Sequence, residues 1–254
     1  PRVTAVGILT QRIVRDSLRD DLPFAVLAPA GNFTIFYLAL RNVIETGSGI
    51  GYPQYLLPVI IVQVTLLAAL TTVDRAARDH GSELGLRFRT LPIPTMAPLM
   101  ARMLYCLIRG TIALVATIGV GYAFGFRMLG GLGYLAAFIS LVLVFTLALS
   151  LAADATGVRI AGAPVARAGG SSQVLLIPQM MLTMLSTGMA PVDSFPDWLH
   201  GFVRYQPVSQ ITETLRGLAS GNLAASSLAS TLAWCLGLLV LFGAIAVRMQ
   251  RRTR

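Results

Sequence analysis

Charge is what this chain has least of. Only 12% of its 254 residues are Asp, Glu, Lys or Arg, about half the share of a soluble domain. With 55% hydrophobic residues, too few polar groups remain to cover a soluble core. Lysine is missing altogether, and the arginines flank apolar runs without forming one basic face, which excludes a nucleic-acid partner. The only histidines are His80 and His200. No H-E-x-x-H, no G-x-S-x-G and no paired carboxylates for acid–base work occur, so an enzyme is hard to build from this set. No G-x-x-x-x-G-K-[ST] loop is present to hold ATP phosphates. The two cysteines, Cys106 and Cys235, fall inside apolar runs. They read as small buried hydrophobes, with no disulfide framework and no metal site. The chain opens at Pro1 without Met, which implies that a few residues precede it. Its first apolar run is too long and wrongly placed for a cleavable signal peptide.

What is present is a series of apolar runs. Crossing the hydrocarbon core takes about 20 apolar residues, and six segments come close: 22–40, 54–73, 103–126, 132–153, 173–190 and 228–247. Pro29, Gly31 and Asn32 interrupt the first, and Pro178 with Gln179 implies that the fifth is bent. The fold class is therefore all-α, a polytopic membrane protein with six spans in one domain. With both termini on the inner side, the inner segments hold fifteen arginines: Arg2, Arg12, Arg15, Arg19, Arg75, Arg78, Arg87, Arg89, Arg102, Arg159, Arg167, Arg248, Arg251, Arg252 and Arg254. The outer segments hold four, Arg41, Arg127, Arg204 and Arg216, and Arg109 lies within a span. That bias sets the expected orientation in a plasma membrane, with both ends cytoplasmic. Before the first span, Val6, Leu9, Ile13 and Leu18 recur at roughly helical spacing among arginines. Residues 1–22 are read as an interfacial helix on the inner leaflet.

Two polar segments stand out. Residues 74–101, between the second and third spans, mix both charge signs with Leu84, Leu86, Phe88 and Leu91. Ser82 suits a helix cap and Pro92 and Pro94 a stop, which outlines either a short docking helix for a partner or a solvated connector. Residues 191–218, before the last span, are too polar to cross a bilayer and too apolar for a plain loop. Ser194 and Asp197 resemble a capping box. Trp198, Leu199, Phe202 and Val203 follow on one helical face, Pro207 breaks the chain, and Ser209 is placed to cap a second helix. That helix is expected to face inward with Ile211, Leu215 and Leu218 and to pair Glu213 with Arg216. Two amphipathic helices lying at the outer surface are the expectation, with Trp198 and Tyr205 at headgroup level.

Within the spans, Arg109 and Asp154 are expected to form a structural ion pair, with Arg102 as the alternative cation. No Asp or Glu lies deep in any span, which argues against a proton-coupled carrier. Gln63 and Gln179 either line a path or bridge helices, and Met180 and Met184 offer an adaptable apolar lining or ordinary packing. Gly121 and Gly125 form a G-x-x-x-G suited to close helix packing.

The runs Ser186-Thr-Gly-Met-Ala-Pro191, Phe195-Pro-Asp-Trp-Leu199, Gln206-Pro-Val208 and Leu215-Arg-Gly217 resemble the end of a type-2 ABC exporter permease. Gly121-Tyr-Ala-Phe-Gly-Phe-Arg127 and Leu91-Pro-Ile-Pro94 fit the same family. The likeness is to its daunorubicin-resistance group of actinobacterial permeases, which includes the mycobacterial exporters of phthiocerol-type lipids. It runs from about Asp74 to the C-terminus; the first quarter matches in hydropathy alone. The stretch Asp74-Arg-Ala-Ala-Arg-Asp79 departs from the more acidic run of many relatives.

The resemblance implies a half-transporter that pairs with a second permease, identical or homologous, and with a dimer of cytoplasmic ABC ATPases. ATP and Mg would sit in those partner subunits, with no cofactor in this chain. The coupling contact to the ATPase would lie at Glu83, Leu84, Leu86, Arg87, Phe88, Arg89 and Thr90. The outer segment would be a re-entrant hairpin that gates the exit, built on Pro191, Phe195, Pro196, Trp198, Leu199, Phe202, Pro207, Leu215 and Arg216. The substrate would be a hydrophobic lipid, polyketide or drug taken from membrane lipid and moved outward. A secondary transporter or channel working without an ATPase is the alternative.

Overall fold

A computed structural model of the chain describes residues 2–17, 21–44, 52–81, 96–167, 169–189 and 192–252. Among these residues every regular element is helical. They are α1 (Arg2–Ser17), α2 (Asp21–Ile44), α3 (Tyr52–Gly81), α4 (Ala97–Ala123), α5 (Gly131–Ile160), α6 (Pro164–Arg167) and α7 (Gln173–Met184). Two 3-10 turns (Val192–Ser194 and Asp197–Leu199) lead into α8 (His200–Tyr205), α9 (Pro207–Ser220) and α10 (Ala225–Arg252).

Five helices are long and apolar enough to cross a membrane: α2, α3, α4, α5 and α10. They outrun the apolar stretches that announce them, because polar first and last turns stay helical. At about 1.5 Å per residue, the 30 residues of α3 extend about 45 Å. The expected break in the first span does not occur. Helix α2 continues through Pro29, and Asn32 turns inward to donate to the Gln63 carboxamide oxygen of α3 at 3.3 Å. The fifth expected span is realised as α7 alone, 12 residues or about 18 Å long. That is short of the roughly 30 Å hydrocarbon core, and the chain turns through residues 185–189 instead of continuing.

Helix α3 is the centre of the bundle. Its most apolar stretch is 67% buried, against 22% for α2 and 17% for α10. Leu57, Ile60, Ile61 and Val62 of α3 meet Phe138, Val142 and Phe145 of α5 and Leu114 of α4 in the main core. Phe33 and Tyr37 of α2 stack on each other and reach Phe124, which follows α4. Two glycines set the approach distances. A side chain on Gly157 of α5 would meet the Val73 carbonyl of α3, and one on Gly121 of α4 would meet Leu57. Gly125 does not extend that close packing: it sits in a turn at φ +94°, and its G-x-x-x-G spacing is coincidental.

At the end of the bundle that holds the start of α2, polar side chains tie helices together. Arg75 of α3 pairs with Asp21 of α2, donates to Ser17 of α1 at 2.9 Å and lies over the Tyr105 ring of α4. Thus α1 is a packed helix against α4; its Arg12 and Asp16 face outward, 3.9 Å apart. Arg102 of α4 holds Asp154 of α5 through Nε at 2.5 Å and Nη2 at 3.2 Å. Both side chains are almost fully enclosed. Asp154 therefore takes the alternative partner, and the Arg109–Asp154 pairing does not form. Arg102 lies about two turns nearer the helix end, level with Asp154. Both cysteines are buried and free.

Candidate functional site

The site is built where α7 stops. Its N-terminus is fixed by Asp74 of α3, whose carboxylate accepts the N–H of Ser172 at 2.7 Å. A carboxylate there satisfies an orphan donor and complements the positive end of the helix dipole. At the other end, a helix that ends inside an apolar bundle leaves carbonyls without partners. Side chains of α9 and its cap supply those partners. Gln206 donates to the Leu185 carbonyl. Arg216 donates to the carbonyls of Thr187 at 3.1 Å and Gly188 at 3.3 Å. The same guanidinium bonds the Tyr55 carbonyl at 3.4 Å and lies 3.7 Å over the Tyr55 ring. The Ser209 hydroxyl accepts the N–H of Thr187 at 3.0 Å.

Helix α9 is not a surface helix. Val208, Ile211, Leu215 and Leu218 join the main core, and the hydroxyls of Ser209, Thr212 and Thr214 are buried as well. Thr212 bonds back to Val208, and Thr214 lies 2.7 Å from Thr231 of α10. Pro207 opens this helix at its first position, behind Gln206 as an extended N-cap, the slot where a missing N–H costs nothing. Ser209 is thereby the third residue of the helix and does not cap. Nor does Glu213 hold Arg216, which reaches across to Tyr55 and the turn after α7. Gly221 ends α9 in the left-handed conformation at φ +73°, as helix stops favour. It packs against Gly130.

Helix α8 is the exposed part of the hairpin. Val203 is fully buried, but Trp198 is 81% exposed, and Phe202 and Tyr205 are also exposed. The Trp198–Val203 face is therefore split: one residue anchors and the aromatics point away. The expected Ser194–Asp197 capping box is absent, because Ser194 ends one 3-10 turn and Pro196 precedes the next with no side-chain cap. His200 bonds the Phe195 carbonyl at 2.7 Å, and Trp234 of α10 bonds the Tyr205 carbonyl at 2.9 Å.

The four residues expected along a path separate. Gln63 is engaged by Asn32 and donates to the Met189 sulfur at 3.4 Å, so it bridges helices. Gln179 keeps its side-chain oxygen buried without a partner. Met180 and Met184 are exposed on α7. The coupling residues Glu83, Leu84, Leu86, Arg87, Phe88, Arg89 and Thr90 lie outside the described residues, as does Pro191. Sequence reasoning missed Tyr55 and Asp74, which lie far along the chain from the groups they hold and carry no local signal.

A family model described as ABC-2 family transporter protein matches residues 25–248, taking in most of the first span as well as the later ones. The chain is 32% identical to a doxorubicin resistance ABC transporter permease protein of Mycobacterium tuberculosis, over 74% of this chain and 65% of that one. It is 27% identical to a probable doxorubicin resistance ABC transporter permease protein of the same organism, over 91% and 82%. A daunorubicin resistance ABC transporter permease protein of Streptomyces coeruleorubidus is 30% identical over 79% and 69%. The chain thus spans just under two thirds of the length of the first of these relatives.

Proposed function

The chain belongs to the ABC-2 family of transporter proteins, and on that premise we propose that it is the permease subunit of an ATP-driven exporter. Its substrates are hydrophobic lipids, polyketides or drugs, taken from the inner leaflet and released outward. The observation that carries this reading is the hairpin: α9 is sunk in the core while α8 and the turn before it present Trp198, Phe202 and Tyr205 beside it. Such a segment closes one end of an apolar path and leaves aromatics to meet an amphiphile.

Two permeases and a dimer of ATPases complete the transporter. The sparsely buried faces of α2 and α10 are available to the second permease or to lipid. ATP and Mg reside in the ATPases, and both termini of this chain lie on their side of a bacterial plasma membrane. Residues Glu83–Thr90 receive the ATPase movement. ATP does its work by favouring one of two conformations with different substrate affinity.

The test is transport in proteoliposomes containing the permease, its copurified ATPase and doxorubicin as the probe. Glu83→Ala and Phe88→Ala should leave basal ATP hydrolysis intact and abolish both transport and its stimulation of hydrolysis. Stimulation at the unmutated level in both variants overturns the coupling assignment. Doxorubicin export without any ATPase overturns the exporter reading itself.

A further inference from the structure

Among the described residues, Arg109 is a buried arginine with no ion-pair partner and an unsatisfied Nε. It lies 12 residues into α4, about 18 Å along a helix of about 40 Å, and is only 7% exposed. Among the described residues no atom accepts a hydrogen bond from it, and its Nε is buried without a partner. The carboxylates nearby are already matched. Asp21 holds Arg75, and Arg102 takes Asp154 with Asp79 at 3.9 Å. A lone guanidinium at this depth demands a counter-group.

The space beside it has the character of a site. Two cavities of about 10 and 20 Å³ share Arg109, Ala68 and Thr146. Each has room for roughly one particle of water size. The lining adds hydroxyls from three helices: Thr65 and Thr72 of α3, Thr117 of α4, and Thr146 and Ser150 of α5. Thr65, Thr72, Thr117 and Thr146 give their hydrogens to carbonyls of their own helices. Arg109 and the Ser150 hydroxyl face the smaller space with no printed acceptor, and Arg75 and Arg102, each held by a carboxylate, add positive charge to its lining. Gly110 keeps the walls close, since a side chain there would meet the Thr146 methyl at 3.0 Å.

We propose that Arg109 and Ser150 bind one small monovalent inorganic anion of chloride size, seated across the two adjoining spaces between α3, α4 and α5. Water alone would hydrate the guanidinium but leave its charge unmatched in a low-dielectric interior. A phosphate or a lipid headgroup is too large for the space. The anion acts as a removable structural ion, separate from the proposed substrate path.

The experiment uses the full chain in phosphatidylcholine nanodiscs, with chloride exchanged for gluconate at constant ionic strength. Chloride should raise the Tm by about 4 °C and broaden the chloride-35 NMR line in proportion to protein. Arg109→Gln should abolish both effects, and Ser150→Ala should reduce them. Line broadening in the unmutated chain needs no variant, so a poorly folding Arg109→Gln leaves the test intact. No chloride dependence means that water alone fills the site and overturns the proposal. An equal shift in Arg109→Gln overturns it too, as does a shift produced by added phosphatidylglycerol and not by chloride.

Discussion

Replacing Arg216 with Met should loosen the hairpin more than any other single change within it. The guanidinium serves the carbonyls of Thr187, Gly188 and Tyr55 and lies 3.7 Å over the Tyr55 ring. Removing it strands buried acceptors at about 1–3 kcal/mol each. It also removes a cation–π contact of about 1–2 kcal/mol, while relieving the cost of burying the charge. The net loss is about 3–4 kcal/mol, or roughly 10 °C in Tm for a chain of this size. Arg216→Lys keeps a charge over Tyr55 but cannot fork to three oxygens, so it should lose about half as much. Tyr55→Leu alone should cost about 1–2 kcal/mol. The decisive measurement is a double-mutant cycle of Arg216→Met and Tyr55→Leu, followed by tryptophan fluorescence during thermal unfolding in detergent. A coupling of about 1–2 kcal/mol is expected. Additivity within about 0.5 kcal/mol would refute the account, because it would mean that the stacked geometry carries no energy.

Three further outcomes follow from the helix contacts. Asp154→Asn should destabilise the chain by about 3–5 kcal/mol by leaving Arg102 poorly matched, and Arg102→Met with Asp154→Leu should recover most of the loss in the same melts. Gly157→Ala places a side chain 2.5 Å from the Val73 carbonyl oxygen and 2.7 Å from Ala76. The α3 backbone cannot yield, so the cost is about 2–3 kcal/mol. The control Gly119→Ala, with nothing within 4 Å, should be neutral or slightly stabilising in the same assay. Asp74→Ala uncaps α7 and should cost about 1 kcal/mol locally, read as faster hydrogen exchange in its first turn with little change in Tm.

The long spans were legible because about 20 apolar residues in a row is a strong signal that needs no partner to interpret. Helix α9 was legible as a helix but not in its burial. Ser209, Thr212 and Thr214 look like a wet face, yet each hydroxyl is bonded within the protein, so polarity did not mean water. Local spacing paired Glu213 with Arg216, whereas the real partner, Tyr55, lies 161 residues away. Asp154 had two arginines to choose from on one helix, and only the relative heights of α4 and α5 select Arg102. Pro207 was visible as a punctuation mark, but whether it closes a helix or opens one depends on the extended Gln206 before it.

The short length of α7 has a mechanical consequence. The turn that follows it leaves the carbonyls of Leu185, Thr187 and Gly188 to be satisfied by Gln206 and Arg216. Swinging α9 away would leave those oxygens unsatisfied, at about 1–3 kcal/mol apiece. The turn and α9 are therefore locked into one moving part, and a hinge between them is forbidden. Freedom is left to the segment from Val192 through α8, which is anchored by Val203 and carries its aromatics outward. On the proposed export reading, the part of this end left to move is the 14-residue span from Val192 to Tyr205, beside a fixed α9.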